Sequence, residues 1–315
     1  MRDIVFHVGI HRTGTTFLQT RCYPFLTDVH LVCRENYSAS DTGSFTDRLA
    51  RLAGANPLFL DLDAEQAVLE RCLARVDQRT ILISMERWFG SMWHGFSNNQ
   101  INSQTLRHLF PAARIILTIR RQDTLLESLY RQILRGYGYP TVDCFLNLVD
   151  GRFLELGQNH TYFPSINPRT LDFHGYVRNY AALFGDENVL VLPLERMVQD
   201  PRGYFETLCG FIGTEPYYPD TAQPVHEGYS LLSSRIALVL NRFVRVNRRG
   251  AGSLPRFLPP RPLRHVLTNV VDRHAHTKGQ LIDDRTRRLV MDLLGDSNRA
   301  LDEDLGLGLR PYGYY

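Results

Sequence analysis

A strand, a glycine loop and a helix start, in that order, constrain this chain more than any other feature. The segment reads Phe6-His-Val-Gly-Ile-His-Arg-Thr-Gly-Thr-Thr-Phe-Leu-Gln19. Gly9 and Gly14 bracket four residues, and Thr15 and Thr16 open a helix. Successive backbone N–H groups and a helix N-terminus then converge on one anionic group. Glycine lets the backbone come close to that group. The bland alternative is an ordinary strand–turn–helix that happens to carry two glycines.

The loop departs from the nucleotide-triphosphatase pattern, in which lysine follows the second glycine directly. That position is Thr15, and of 36 Lys and Arg residues only Lys278 is lysine. The loop's cation is Arg12. Such a loop can hold a phosphate but lacks the lysine that reaches the β- and γ-phosphates.

Strand and helix patterns alternate through about residue 213. Strands are expected at 3–8, 28–33, 80–84, 114–119 and 188–192, those at 3–8, 80–84 and 114–119 buried. Helices are expected at 15–23, near 45–53, and at 63–77, 102–110, 123–135, 170–184 and 201–212. Ala67, Val68, Cys72, Leu73 and Val76 should form one apolar face, Asp123 should cap its helix, and Pro201 starts one. The alternation predicts an α/β fold with a central parallel sheet flanked by helices. Residues 1–213 would be the α/β nucleotide-binding core. Residues 214–315 would be a helical extension (229–247 and 283–305) of the same domain, with a glycine- and proline-rich loop at 250–264. Eight arginines and no acidic residue lie between Gly228 and Val271.

Two further positions stand out. Arg120 ends the strand at 114–119, and Ser128 follows eight residues later on the next helix. Ligands bind at the carboxyl ends of parallel strands in open α/β sheets, and an arginine with a hydroxyl suits a dianionic phosphate. Glu86 lies just past the strand at 80–84, on the same side of the sheet by the same rule. His7 reads as a packed core histidine, and His11 as a residue that shapes the loop.

At this point the chain resembles a known family. His11-Arg-Thr-Gly-Thr-Thr16 is similar to the 5′-phosphosulfate loop of sulfotransferases that use 3′-phosphoadenosine 5′-phosphosulfate (PAPS). That loop usually reads Lys-x-Gly-Thr-Thr, and Arg12 stands where the family has its lysine. Arg120-Arg-Gln-Asp-x-Leu-x-x-Ser128-x-Tyr resembles bacterial members in detail. The resemblance covers roughly residues 3–315, including Glu195, Asp200-Pro201, Gly213 and a tail at Ser297-Asn298 and Leu309-Arg-Pro-Tyr312. It implies a P-loop-like sulfotransferase architecture. Arg12, Thr13, Gly14, Thr15 and Thr16 would hold the phosphosulfate, and Arg120 and Ser128 the 3′-phosphate. Arg12 would stabilise the leaving group. Glu86 would be the general base, with His94 the runner-up. Glu195 would be a structural hydrogen-bond partner. Arg248 and Arg249 resemble, one residue short, a basic loop that closes over the 3′-phosphate.

The implied reaction moves a sulfuryl group from PAPS to an acceptor hydroxyl or amine, leaving PAP, without a metal. The acceptor would be a carbohydrate or small metabolite. Aromatic residues at 136–168 (Tyr137, Tyr139, Phe153, Tyr162, Phe163) form either its wall or part of the core. Two alternatives stand beside this reading: a P-loop kinase or nucleotide hydrolase, and a PAP-binding protein without activity. A net charge of +3 does not point to nucleic acid. No run of about 18 apolar residues exists, so no membrane span is expected. Five scattered cysteines without a CxxC pair fit a reducing, cytoplasmic setting better than a disulfide framework or a zinc site.

Overall fold

The computed structural model describes residues 2–33, 42–92, 95–136, 138–157, 165–221, 229–243, 266–272 and 279–315. His94, Tyr137, Tyr162, Phe163, Arg248, Arg249 and the whole stretch 250–264 lie outside these residues. The described chain forms two compact units. The first comprises Met1–Arg121, Asp172–Val225 and Gly295–Tyr315. The second comprises Gln122–Leu171 and His226–Leu294.

The strands are β1 (Asp3–His7), β2 (Val29–Cys33), β3 (Thr80–Ser84), β4 (Arg114–Ile119), β5 (Leu148–Val149), β6 (Arg152–Phe153) and β7 (Val189–Pro193). In the first unit β1 to β4 and β7 make a parallel sheet in the order β2-β3-β1-β4-β7. The expected parallel α/β sheet is therefore present. The chain leaves β1 toward one edge and β4 toward the other, so these neighbours form a topological switch point at their carboxyl ends.

Helices of the first unit cover the sheet. They are α1 (Thr15–Phe17), α2 (Thr42–Leu52), α3 (Leu62–Leu73), α4 (Asn99–Leu109), α7 (Phe173–Phe184), α8 (Leu194–Gln199) and α9 (Pro201–Ile212). Alternate β1 side chains point to opposite faces. Val5 joins a buried cluster with Leu18, Cys22, Tyr204, Phe205 and Leu208 from the α1 and α9 segments. Phe6 packs with Trp88 and Phe110, its ring 6.1 and 5.3 Å from theirs. All five residues of β3 are buried, as a strand covered on both faces requires.

Local chemistry fixes the helix starts. The Asp61, Asp172 and Asp200 carboxylates accept from the N–H groups of Ala64, Gly175 and Gly203 and cap α3, α7 and α9. The buried face of α3 is Leu69 and Leu73; the other expected members are only half-buried. After α1 the chain continues as a π-helical turn (Leu18–Cys22) and a 3-10 turn (Tyr23–Phe25) with Pro24 at its start.

The second unit holds α5 (Gln122–Arg135), α6 (Val142–Leu146), the β5–β6 hairpin, α10 (Leu231–Leu240) and the first half of α11 (Asp284–Leu305). Asp123 is not the cap of α5. The helix already begins at Gln122, and the Asp123 carboxylate is instead buried against Arg287 Nη1 at 2.9 Å. Glu127, one turn on, accepts from the N–H groups of Leu281 and Ile282 and from Arg131 and Arg287. Arg131 donates to the carbonyls of Tyr229 and Gly279, both at 2.6 Å. This charged cluster ties two separated stretches of sequence, at Tyr229 and at Gly279–Arg287, to α5. Phe153 belongs to the buried core, whereas Tyr139 is half-buried. Among the described residues, no helix is long and apolar enough to cross a membrane.

Candidate active site

The loop between β1 and α1 rests on a buried polar network. His7, fully buried at the end of β1, lies opposite Ser84 of β3 in the sheet register. Its Nδ1 meets Ser84 Oγ at 2.9 Å and the Tyr23 hydroxyl at 3.1 Å. Its Nε2 meets Thr118 Oγ1 of β4 at 3.2 Å. Thr118 Oγ1 also contacts Thr13 Oγ1 at 2.7 Å, and the Thr13 hydroxyl donates to the Ile10 carbonyl. Gln19 donates to both Ser84 oxygens. Burial lowers the His7 pKa to about 4, against the opposing pull of Glu86, so the ring is neutral near pH 7.

Gly9 is required by this packing. A Cβ there would lie 2.3 Å from Thr118 Oγ1 and 2.5 Å from His7 Nε2. Gly14 has φ +91° and caps α1 in the left-handed region that glycine enters freely. Arg12 also has a positive φ, +71°, which is costly for a residue with a side chain and recurs at functional sites.

Cationic and anionic groups gather at the carboxyl ends of β1, β3 and β4. Arg120, just past β4, donates through Nη1 to the Arg12 carbonyl at 3.2 Å. Glu86 opens the 3-10 turn after β3, and its Oε2 lies 3.4 Å from His11 Nδ1. Burial pushes the Glu86 pKa up. His11, then Thr15 and His7, favour the ionised carboxylate and prevail, so the net shift is downward. The buried Thr15 hydroxyl bears on Glu86 yet makes no hydrogen bond of ordinary geometry. A small anion with oxygen acceptors would satisfy it.

The residues singled out from sequence therefore divide. Arg12, Thr13, Gly14, Thr15, Thr16, Glu86 and Arg120 all belong to the first unit, on the loop and strand ends just described. Ser128 lies on α5 in the second unit and is buried. Glu195 is the structural partner expected of it. It accepts from the Arg121 N–H at 3.0 Å and from the Tyr314 hydroxyl at 2.9 Å. The Arg121 guanidinium reaches the Tyr312 carbonyl at 3.3 Å, so the carboxyl-terminal tail braces the end of β4.

Sequence reasoning missed the partnership of His11 with Glu86 and the network of Gln19, Tyr23, Ser84 and Thr118. A usable signal existed for Thr118, a hydroxyl inside the otherwise apolar Ile115–Ile119 run. Among the described residues, no group of three or more His, Cys, Asp or Glu side chains is placed to hold a metal ion.

No protein-family model and no curated protein matches the chain. Solved structures do. A sulfotransferase from Alicyclobacillus acidocaldarius is 15% identical, with a TM-score of 0.46, over 76% of this chain and 92% of that one. Mouse sulfotransferase SULT7A1 complexed with PAP is 14% identical, with a TM-score of 0.43, over 99% of this chain and 88% of that one. A sulfotransferase domain from the curacin biosynthetic pathway is 14% identical, with a TM-score of 0.38, over 93% of this chain and 98% of that one.

Proposed function

We propose that the chain is a sulfotransferase that moves a sulfuryl group from PAPS to an acceptor hydroxyl or amine. The observation that carries this reading is the bond from Arg120 to the Arg12 carbonyl, which sets the cation of β4 against the loop of β1 at the switch point. Ligands of open α/β sheets bind at such a point. The buried Thr15 hydroxyl, at the start of α1, bears on Glu86 and makes no hydrogen bond of ordinary geometry.

In this reading the acceptor oxygen bonds to sulfur while the bond from sulfur to the bridging oxygen of the donor breaks. The acceptor's proton goes to Glu86, which is ionised because His11, Thr15 and His7 outweigh its burial. Negative charge grows on the bridging oxygen as PAP leaves. Arg12 and the loop N–H groups stabilise that charge. Arg12 remains protonated throughout, because a guanidinium pKa lies above about 12, so its contribution is electrostatic. For Ser128, a role toward the 3′-phosphate rests on the resemblance alone. A carbohydrate or small metabolite is the proposed acceptor.

A nucleotide kinase is disfavoured by Thr15, which stands where the triphosphatase loop has lysine. The test has two arms. Calorimetric titration with PAP and with ATP, each with and without Mg²⁺, should show PAP binding that is independent of Mg²⁺. Incubation with labelled PAPS and a panel of carbohydrate and small-molecule acceptors should transfer the label. Tight Mg²⁺-dependent ATP binding without PAP binding would replace this reading by a kinase. PAP binding with no transfer to any acceptor would leave a binding protein.

A further inference from the structure

One side-chain pair joins the loop after β1 to the turn after β3. His11 Nδ1 stands 3.4 Å from Glu86 Oε2, and each side chain keeps 27% of its surface open. β1 and β3 pair along their whole length, with His7 opposite Ser84, so the two residues leave the sheet side by side. At 3.4 Å the contact is longer than an ordinary hydrogen bond. Catalytic contacts of this kind tighten when substrates bind.

We propose that His11 is a positioning residue for Glu86: it holds Oε2 through Nδ1, leaves Oε1 for the acceptor, and ties the base to the loop that grips the donor. This rests on the reading of Glu86 as the base. With a proton on Nδ1 the imidazole donates to the carboxylate, the arrangement by which a carboxylate and a histidine orient one another. The leading ionisable influences on Glu86 among the described residues are His11, from the loop, and His7, from β1. His7 is buried, neutral above about pH 4, and committed to Ser84, Tyr23 and Thr118. His11 is the larger influence of the two and the one that is partly open to solvent. Its place inside the donor loop gives it a consequence for turnover. An ordered loop orders the base.

The test uses His11→Ala and His11→Asn, the second because its side-chain amide nitrogen can take the place of Nδ1. The Glu86 carboxyl is titrated by carbon-13 NMR in the free protein, PAP affinity is measured by calorimetry, and kcat is followed against pH with PAPS and an acceptor from the screen. His11→Ala should move the Glu86 midpoint upward, because burial is then less opposed. It should lower kcat by about 10–100-fold and leave PAP affinity unchanged. His11→Asn should restore most of both the midpoint and kcat. An unmoved Glu86 midpoint in His11→Ala overturns the role, and so does loss of PAP affinity in parallel with kcat. If wild-type protein transfers nothing from PAPS, the sulfotransferase reading fails, while the carboxyl titration still decides whether His11 sets Glu86.

Discussion

The Arg120 guanidinium donates to the Arg12 backbone carbonyl at 3.2 Å, across 108 residues of sequence. That bond places the end of β4 against the one loop residue that pairs a positive φ with a cationic side chain. Arg120 therefore does two things in the proposed site. It brings positive charge, and it fixes the backbone from which Arg12 projects.

Arg120→Ala should weaken PAP binding by about 100-fold, the usual scale for removing one partner of a charge-assisted contact. Arg120→Lys should recover little of it. A lysine ammonium cannot hold both a carbonyl and a phosphate in the planar fork of a guanidinium. Calorimetry with PAP decides this, and near-wild-type affinity in Arg120→Lys would mean that charge alone matters.

Glu86→Gln should abolish transfer from PAPS and leave PAP affinity intact. The Glu86 pKa of the free protein is lowered, so in wild-type protein the acid limb of kcat/KM against pH should lie below that of an ordinary glutamate. The base then stays competent through neutral pH and is lost only as pH falls through that lowered value. A pH–rate profile in wild-type protein and a single-turnover assay of the variant provide the check.

Gly9→Ala should destabilise the protein by about 1–3 kcal/mol, the common cost of overpacking. The added Cβ meets His7 and Thr118, whose side chains are held by other hydrogen bonds and have no room to swing aside. A fall in Tm of several degrees is the expected readout, and an unchanged Tm would show that the network can relax.

His7 makes stability depend on pH. Its pKa falls from 6.5 to about 4 on folding, because burial disfavours the charged ring. The unfolded chain therefore binds a proton that the folded chain refuses between these values. Stability should drop as pH is lowered from 6.5 to about 4, by roughly 3 kcal/mol at most. Urea unfolding at pH 4.5 and pH 7 should show a smaller difference in His7→Asn than in wild-type protein, whatever the stability of the variant at pH 7.

Glu127→Ala should cost about 3–5 kcal/mol, as expected when a buried ion pair loses one partner. The variant leaves Arg287 and the N–H groups of Leu281 and Ile282 without their shared acceptor. Chemical denaturation measures the loss. A cost under about 1 kcal/mol would mark the cluster as a solvated pair of ordinary surface strength.

Each of these features was legible in the sequence to a different degree. The loop from Gly9 to Thr16, the buried runs at 80–84 and 114–119, and Arg120 and Glu86 at strand ends all follow from local rules. Glycine spacing, apolar runs and caps act over a few residues, and the structure places the elements close to the expected ranges. Asp123 departs from the expected capping role for a matching reason. Its residue type suits a cap, but Arg287, 164 residues away, engages the carboxylate.

What the chain's local chemistry determined, then, was the inventory: a loop built to hold an anion, cations and a carboxylate at strand ends, and strands that must be covered on both faces. Tertiary structure decided the neighbours. Only the order β2-β3-β1-β4-β7 seats β1 between β3 and β4, so that His7 meets Ser84 from 77 residues away and Thr118 from 111. The same order brings His11 to Glu86 and Arg120 to Arg12. Strand order is set by packing whole helices onto a sheet, a sum of many weak contacts between distant segments, and no short stretch of sequence carries that sum.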